Sequence, residues 1–191
     1  MTDAGHAFPT TVDALFALLE HCGGFFDSLG PDGDPLPVLD HGLQCAELLA
    51  EQFPEDDELQ VAGLVHDVGH RLSPGASAAH GVIAADAVRG LLGERVAALV
   101  ELHVPAKRYL VTVDPSYRDG LSDGSTISLA RQGGDLSADE RAALEANPHL
   151  NDALSLRRCD ERAKDPTAVV DGLERWRLTV ERVVERVASA R

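Results

Sequence analysis

The sequence predicts an all-α fold. Apolar residues recur at helical spacing along most of the chain, and helix start and stop signals punctuate it at short intervals. Aromatics make up only 4% of residues against 44% hydrophobic overall, so Ala, Leu and Val must fill the core, which favours helices. At 191 residues the chain fits one helical bundle, residues 1–191, large enough to bury a core without disulfides or a structural metal.

Taken in order, residues 1–9 are expected to be flexible. Thr10 or Thr11 caps a first helix with Val12, Leu15, Phe16, Leu18 and Leu19 on its apolar face, ending near Gly23-Gly24. Residues 27–38 are rich in Pro, Gly and Asp and read as a loop. A second helix starts near Leu39, carries Leu43, Ala46, Leu48 and Leu49, and ends at Pro54. A third runs from about Asp57 to His66. Ser77 is expected to cap a fourth, which Gly93 breaks, and a fifth runs to about His103, where Pro105 stops it. Residues 111–124 show no clean period. Ser125 is expected to cap a short helix through Leu129 that closes at Gly133-Gly134. Ser137-Ala138-Asp139-Glu140 reads as a capping box for a helix to about Asn147. Another helix covers about 150–163. Thr167 is expected to cap the last, with Val169, Val170, Leu173, Trp176, Val180, Val183 and Val184 on its buried side.

Charge and composition narrow the function. Acidic residues outnumber basic ones by 32 to 17, a formal charge of -15, which argues against a general nucleic-acid surface. Any anion pocket must therefore be built locally from a few placed cations. The three cysteines are widely spaced and form no CxxC, which suggests a reducing, cytoplasmic setting. No run of ~18 apolar residues is present, so no membrane span is expected. The first residues do not have the pattern of a signal peptide.

The chemistry centres on Val65-His66-Asp67-Val68-Gly69-His70, where an imidazole and a carboxylate stand side by side at the end of an apolar run. A metal ion is the usual reason for that pairing, because an uncompensated buried carboxylate is expensive. Of the eight histidines, His6, His21 and His149 have no expected role. His41, His66, His70, His80 and His103 all fall near helix ends, and helix termini in a bundle converge. Asp160 can add a carboxylate. The set His41, His66, Asp67, His80, His103 and Asp160 is too large for one tetrahedral zinc. It suits two divalent ions, with Asp67 as the natural bridge, and imidazole–carboxylate ligation with open positions suits iron or manganese.

His41…His66-Asp67…Asp160 resembles the pattern of HD-domain metal-dependent phosphohydrolases, and His80 and His103 resemble the extra ligands of the two-metal subset. More particular are His103-Val104-Pro105-Ala106-Lys107-Arg108-Tyr109-Leu110, then Leu121-Ser122…Ser125…Ser128-Leu129…Gln132-Gly133-Gly134, then Leu156-Arg157-Arg158-Cys159-Asp160-Glu161-Arg162-Ala163-Lys164. These blocks, over roughly residues 36–175, are similar to the HD-domain oxygenases of organophosphonate breakdown, relatives of myo-inositol oxygenase.

The resemblance implies a mixed-valent Fe(II)/Fe(III) pair that uses O2 as co-substrate to cleave the C–P bond of a 1-hydroxyphosphonate into a carboxylate and phosphate. It implies iron ligation by His41, His66, Asp67, His80, His103 and Asp160. It implies phosphonate contacts by His70, Lys107, Ser125 and Arg157, with Asp67, His70 and Lys107 at the reacting centre. The residues agree: Lys107 lies one turn past His103, Arg157 one turn before Asp160, and Ser125 near a helix start. Gln44, one turn after His41, is a candidate to line the site. Members acting on aminoethyl substrates carry a Tyr and a Glu before the first His. Here Pro31 stands at the Tyr position, and Asp34 (or Asp32 or Asp40) is the candidate acid facing the substrate's tail. The alternative reading is a two-metal phosphohydrolase acting on a small phosphate ester.

Overall fold

The computed structural model describes residues 8–27, 36–76 and 78–191. The expectations placed on residues 1–7, on Asp32 and Asp34, and on Ser77 lie outside these residues. Within them the fold is all-α and contains no strand.

Helix α1 (Val12–His21) is capped by Thr11, whose hydroxyl accepts from the Ala14 N–H, and it buries Leu15, Phe16 and Leu19. Helix α2 (Val38–Gln52) carries His41 in its first turn. Helix α3 (Asp57–Val65) is buried on nearly every side, so it runs through the centre of the bundle rather than along its surface. Its most extensive contacts are with α2. Because α3 ends in the interior, His66 and Asp67 emerge there, with His66 fully buried.

A short helix, α4 (Val68–Leu72), follows at once and was not expected from the sequence. Five residues are too few to show a period. It presses on the first turn of α5 (His80–Val113): a Cβ on Gly69 would lie 2.0 Å from the carbonyl oxygen of His80. Only glycine allows that approach, and it brings Asp67 and His80 to the same place.

Helix α5 corrects one expectation and sustains another. The backbone leaves helical geometry at Gly93 (φ 86°), as the break there required. Pro105, however, does not end the helix, which continues to Val113. Proline removes one N–H and crowds the preceding turn, a penalty of about 3 kcal/mol. Burial of Ala106, Leu110 and Val111 beyond it offsets that penalty. Helix α6 (Pro115–Asp119) falls in the stretch without a clean period. Helix α7 (Asp123–Arg131) is capped by Ser122 rather than Ser125, which occupies its third position. Helix α8 (Ala138–Glu145) has the expected Ser137–Glu140 capping box.

Helix α9 (Leu150–Arg162) packs along α5 and α2 and delivers Arg157 and Asp160 inward. The last helix starts later than expected. Thr167 does not cap it; its N–H and hydroxyl instead bond to the Asp165 carboxylate. A 3-10 turn over Leu173–Trp176 leads into α10 (Arg177–Ser189). Val169, assigned to the buried side, is 97% exposed, while Trp176, Val180 and Val183 are in the core. The apolar spacing was real, but its first members sit on a loop.

Candidate metal centre and anion pocket

The first turns of α2 and α5, the end of α3, the last turn of α9 and the middle of α5 at His103 meet at one buried cluster. His41, His66, His80, His103 and Asp160 are each no more than 3% exposed. The cluster has two parts, and Asp67 joins them. Its Oδ2 lies 3.6 Å from His41 Nε2 and 3.5 Å from His66 Nε2. Its Oδ1 lies 3.2 Å from His80 Nε2 and 3.6 Å from His103 Nε2. Asp160 adds to the first part, with Oδ1 3.1 Å from His41 Nε2 and Oδ2 3.8 Å from His66 Nε2.

The histidine tautomers are fixed from behind. A carbonyl can only accept, so the Nδ1–H of His41 donates to Ala163 O (2.7 Å), that of His66 to Gly63 O (2.8 Å) and that of His103 to Val100 O (2.6 Å). This leaves each Nε2 lone pair facing inward. The lone pairs of His41 and His66 Nε2 face each other at 3.2 Å, and His103 Nε2 faces His80 Nε2 at 2.7 Å, where an N–H of His80 can donate to it. Between His41 and His66 acceptor meets acceptor, an arrangement stabilised by positive charge between them. Protons or cations can supply it. Carbonyl-anchored imidazoles beside carboxylates are the usual second layer of metal sites.

The electrostatics agree. Burial opposes charge on His66, but Asp67 and Asp160 outweigh it and raise its pKa to about 9. His41 is raised in the same way, chiefly by Asp160 against burial. Burial favours protonation of Asp67 and Asp160, yet the neighbouring histidines and, for Asp160, Arg157 hold both well below the ordinary carboxylate range. His103 and His70 go the other way: burial and the His80 charge lower both, His70 to about 4. His41, His66 and Asp160 have ligand atoms close enough to share one ion, and so do Asp67, His70 and His80. The donor set could therefore hold two metal ions, with Asp67 facing both groups.

His70 differs from the other four. It stacks on His80 with ring centroids 4.0 Å apart, and its Nε2 is 3.9 Å from Asp67 Oδ1. Its Nδ1 is buried with no hydrogen-bond partner among the described residues.

A cavity of about 40 Å3 opens on the His80/His103 part, lined by Asp67, His70, Lys107, Ser125 and Arg157. Pockets for drug-sized ligands reach several hundred Å3, so this one suits a compact polar group. Its wall gathers three basic side chains, Lys107, Arg157 and Lys164, beside the carboxylates of Asp27, Asp67 and Asp160. Lys107 is 3% exposed and donates to Ser128 Oγ at 2.6 Å; burial, with help from the Arg157 charge, pushes its pKa down to about 7. Lys164 donates to Ser125 Oγ at 2.8 Å and to Ser122 Oγ at 3.1 Å. The Arg157 guanidinium is committed to the protein: it bonds Asp160, Glu161, Tyr117 Oη (2.6 Å) and Ser125 Oγ (3.2 Å).

The structure thus brings together the six expected ligands with His70, Lys107, Ser125 and Arg157. It does not bring Gln44 among the cavity's described residues; that side chain lines a groove on the far side of α2, beside Glu47 and Asp165. Four polar cavity residues had no assigned role in the sequence: Asp27, Ser128, Gln132 and Lys164. Three of these lie inside the sequence blocks that carried the family resemblance, which was the available signal. Asp27 gave none, being a single acid at the edge of a loop.

The HD-domain family profile matches residues 38–161, from the start of α2 to the end of α9. The chain belongs to the HD-domain family. It is 32% identical over 186 residues to a 1-hydroxy-2-(trimethylamino)ethylphosphonate dioxygenase (glycine-betaine-forming) of Leisingera caerulea, covering 91% of this chain and 93% of that protein. It is 33% identical over 184 residues to a hydroxymethylphosphonate dioxygenase of Gimesia maris, covering 91% and 88%. A probable inositol oxygenase of Oryza sativa subsp. japonica matches at 38% over 55 residues, 29% of this chain and 18% of that protein. These are the groups of HD-domain oxygenases that the motif blocks resembled.

Proposed function

We propose that this HD-domain protein is a two-metal, O2-dependent oxygenase that cleaves the C–P bond of a 1-hydroxyphosphonate, giving a carboxylate and phosphate. The observation that carries the reading is Asp67, whose two oxygens face two separate imidazole sets, one of them opening on a cavity with Lys107, Arg157 and Lys164 in its wall. The two long-range relatives, both phosphonate dioxygenases by name, support the same chemistry.

His41, His66 and Asp160 would hold one metal and His80 and His103 the other, with Asp67 between them. A mixed-valent Fe(II)/Fe(III) pair bound there would supply the redox step and the binding of O2. The balance needs no further reductant: one hydroxyphosphonic acid and one O2 contain the atoms of one carboxylic acid and one phosphoric acid.

The protein's own groups bind and align. Lys107 and Lys164 both line the cavity, and Lys164 donates to the Ser125 hydroxyl, so the three would meet the phosphonate oxygens. A dianion beside Lys107 favours its protonated form, reversing the effect of burial. Arg157 contributes fixed positive charge and orients Asp160 rather than swinging onto the ligand. His70 is neutral at pH 7, and its Nδ1, like Oε1 of Gln132, is a buried unpartnered polar atom on a cavity-lining residue that could meet the substrate's hydroxyl. Asp27 supplies a carboxylate on the same cavity, the role expected of Asp34, and suits a cationic tail.

The test is anaerobic loading with Fe(II), followed by O2 with hydroxymethylphosphonate or a 1-hydroxyphosphonate bearing an ammonium tail. Phosphate release matched one-to-one by O2 uptake is expected. Equal phosphate release without O2 would overturn the reading.

A further inference from the structure

Gln44 is 6% exposed and lies one turn after His41 on α2, yet it faces away from the cavity. Both ends of its amide are used on one backbone residue: Nε2 donates to Asp165 O at 2.8 Å, and Oε1 accepts from Asp165 N–H at 3.2 Å. A reciprocal pair of this kind fixes both the position and the rotation of the peptide it grips. Two residues earlier on that strap, the Ala163 carbonyl accepts the His41 Nδ1–H at 2.7 Å. The circuit closes on itself, from His41 along one turn of α2 to Gln44, across to Asp165, back to Ala163 and onto the His41 ring. Ala163 is also the C-cap of α9, three residues after Asp160, and its N–H bonds to Cys159 O and Asp160 O.

We propose that Gln44 is a positioning residue for the metal centre, clamping residues 163–165 so that the Ala163 carbonyl sets the His41 imidazole toward Asp160. The clamp serves the His41/His66/Asp160 part. The His80/His103 part takes its orientation from α5 itself, through Val100 O. The proposal rests on His41 being a metal ligand.

The experiment is anaerobic titration of the whole protein with Fe(II) alone, in competition with a chelator, resolving the two sites. Gln44→Leu keeps the volume and removes both hydrogen bonds. It is expected to loosen one site by about 10–100-fold while the other stays within about twofold, the range seen when an outer partner of a ligating histidine is lost. Gln44→Glu keeps only the acceptor for the Asp165 N–H and is expected to fall between; it also serves as the milder variant if Gln44→Leu folds poorly. Wild-type affinity at both sites in Gln44→Leu would overturn the clamp. So would equal loosening of both sites in step with a lower Tm of the metal-free protein, which would make Gln44 merely structural. His41→Ala separates the layers. If it leaves both sites unchanged, the ligand reading fails and takes the clamp with it. If it removes one site and Gln44→Leu loosens neither, the clamp alone fails.

Discussion

The two parts of the histidine cluster are built from the same side chains but in opposite styles. His41, His66 and Asp160 are closed in from behind by Ala163 O, Gly63 O and Arg157, and neither of these histidines lines the cavity. His80 and His103 line it, beside His70 with its unpartnered Nδ1 and the buried Lys107. One part is arranged to hold, the other to receive. Metal sites that do chemistry keep a position open, while sites that only hold are closed. On the proposed reading the two kinds share the Asp67 carboxylate, and of the sealed part only Asp160 reaches the cavity wall.

The largest test of that comparison removes what the two parts share. Asp67→Ala is expected to abolish tight metal binding in both, seen by metal analysis after gel filtration. Phosphate release should fall about a thousandfold or more, the scale of losing a principal electrostatic element of an active site. Full metal retention at the His80/His103 part would show that Asp67 belongs to the sealed part alone. Gly69→Ala should then separate the two. Its new Cβ would meet the His80 carbonyl at 2.0 Å, so α4 must move off α5. A displacement near 1 Å in an active site can lower the rate about a hundredfold. The expected result is loss of one metal per chain, with the sealed part still loaded. Loss of both would mean that the parts are not independently held.

Substrate binding should divide from metal binding at Lys107. Lys107→Ala is expected to raise KM by about 10–100-fold, the worth of a buried hydrogen bond to a charged group, with metal content unchanged. Lys107→Arg should restore little, because the site presents room for a point charge between Ser128 and the cavity rather than for a planar fork. A fall in kcat at constant KM would place Lys107 in the chemical step instead.

These experiments rest on residues that were visible to different degrees in the sequence. The six proposed ligands and His70 could be picked out as imidazoles and carboxylates expected near helix ends, whereas Lys107 and Ser125 were named by the family resemblance of the blocks around them. Gln44 and Arg157 could be found, but their direction could not. Sequence spacing puts both within a turn of a ligand; only packing turns Gln44 to Asp165 and commits Arg157 to Asp160, Glu161 and Tyr117. Glu161 and Tyr117 lie 44 residues apart and meet through tertiary folding, which no local pattern encodes. The fold behaved likewise. Long periodic helices were read to within a few residues, whereas α4 was too short to show a period, Pro105 was overridden by burial, and Thr167 lost its capping role to the Asp165 turn.

The smallest expected effect comes from the opposite end of α3, away from both parts. Asp57 begins that helix and pairs with Arg182 at 2.7 and 3.0 Å and with Arg186 at 2.7 Å, tying α10 to it. Asp57 is 11% exposed, but both arginines are about half exposed, so solvent screens the pairs. Asp57→Asn should therefore cost about 1–2 kcal/mol, below the 3–5 of a fully buried pair. The hydrogen bonds from Arg182 lower the Asp57 pKa below its ordinary value of 3.8, against the opposing effect of burial. A carboxylate held low stabilises the fold fully above its unfolded pKa and loses that contribution as pH falls through the folded one. The stability gap between wild type and Asp57→Asn should thus be constant from neutral pH down to about 5, then narrow below about 4. Urea unfolding across that range measures it. Metal affinity at both parts should stay at the wild-type level in this variant. If instead Asp57→Asn loosens either metal, α3 transmits strain along its length to His66, and the sealed part is not held by its local carbonyls alone.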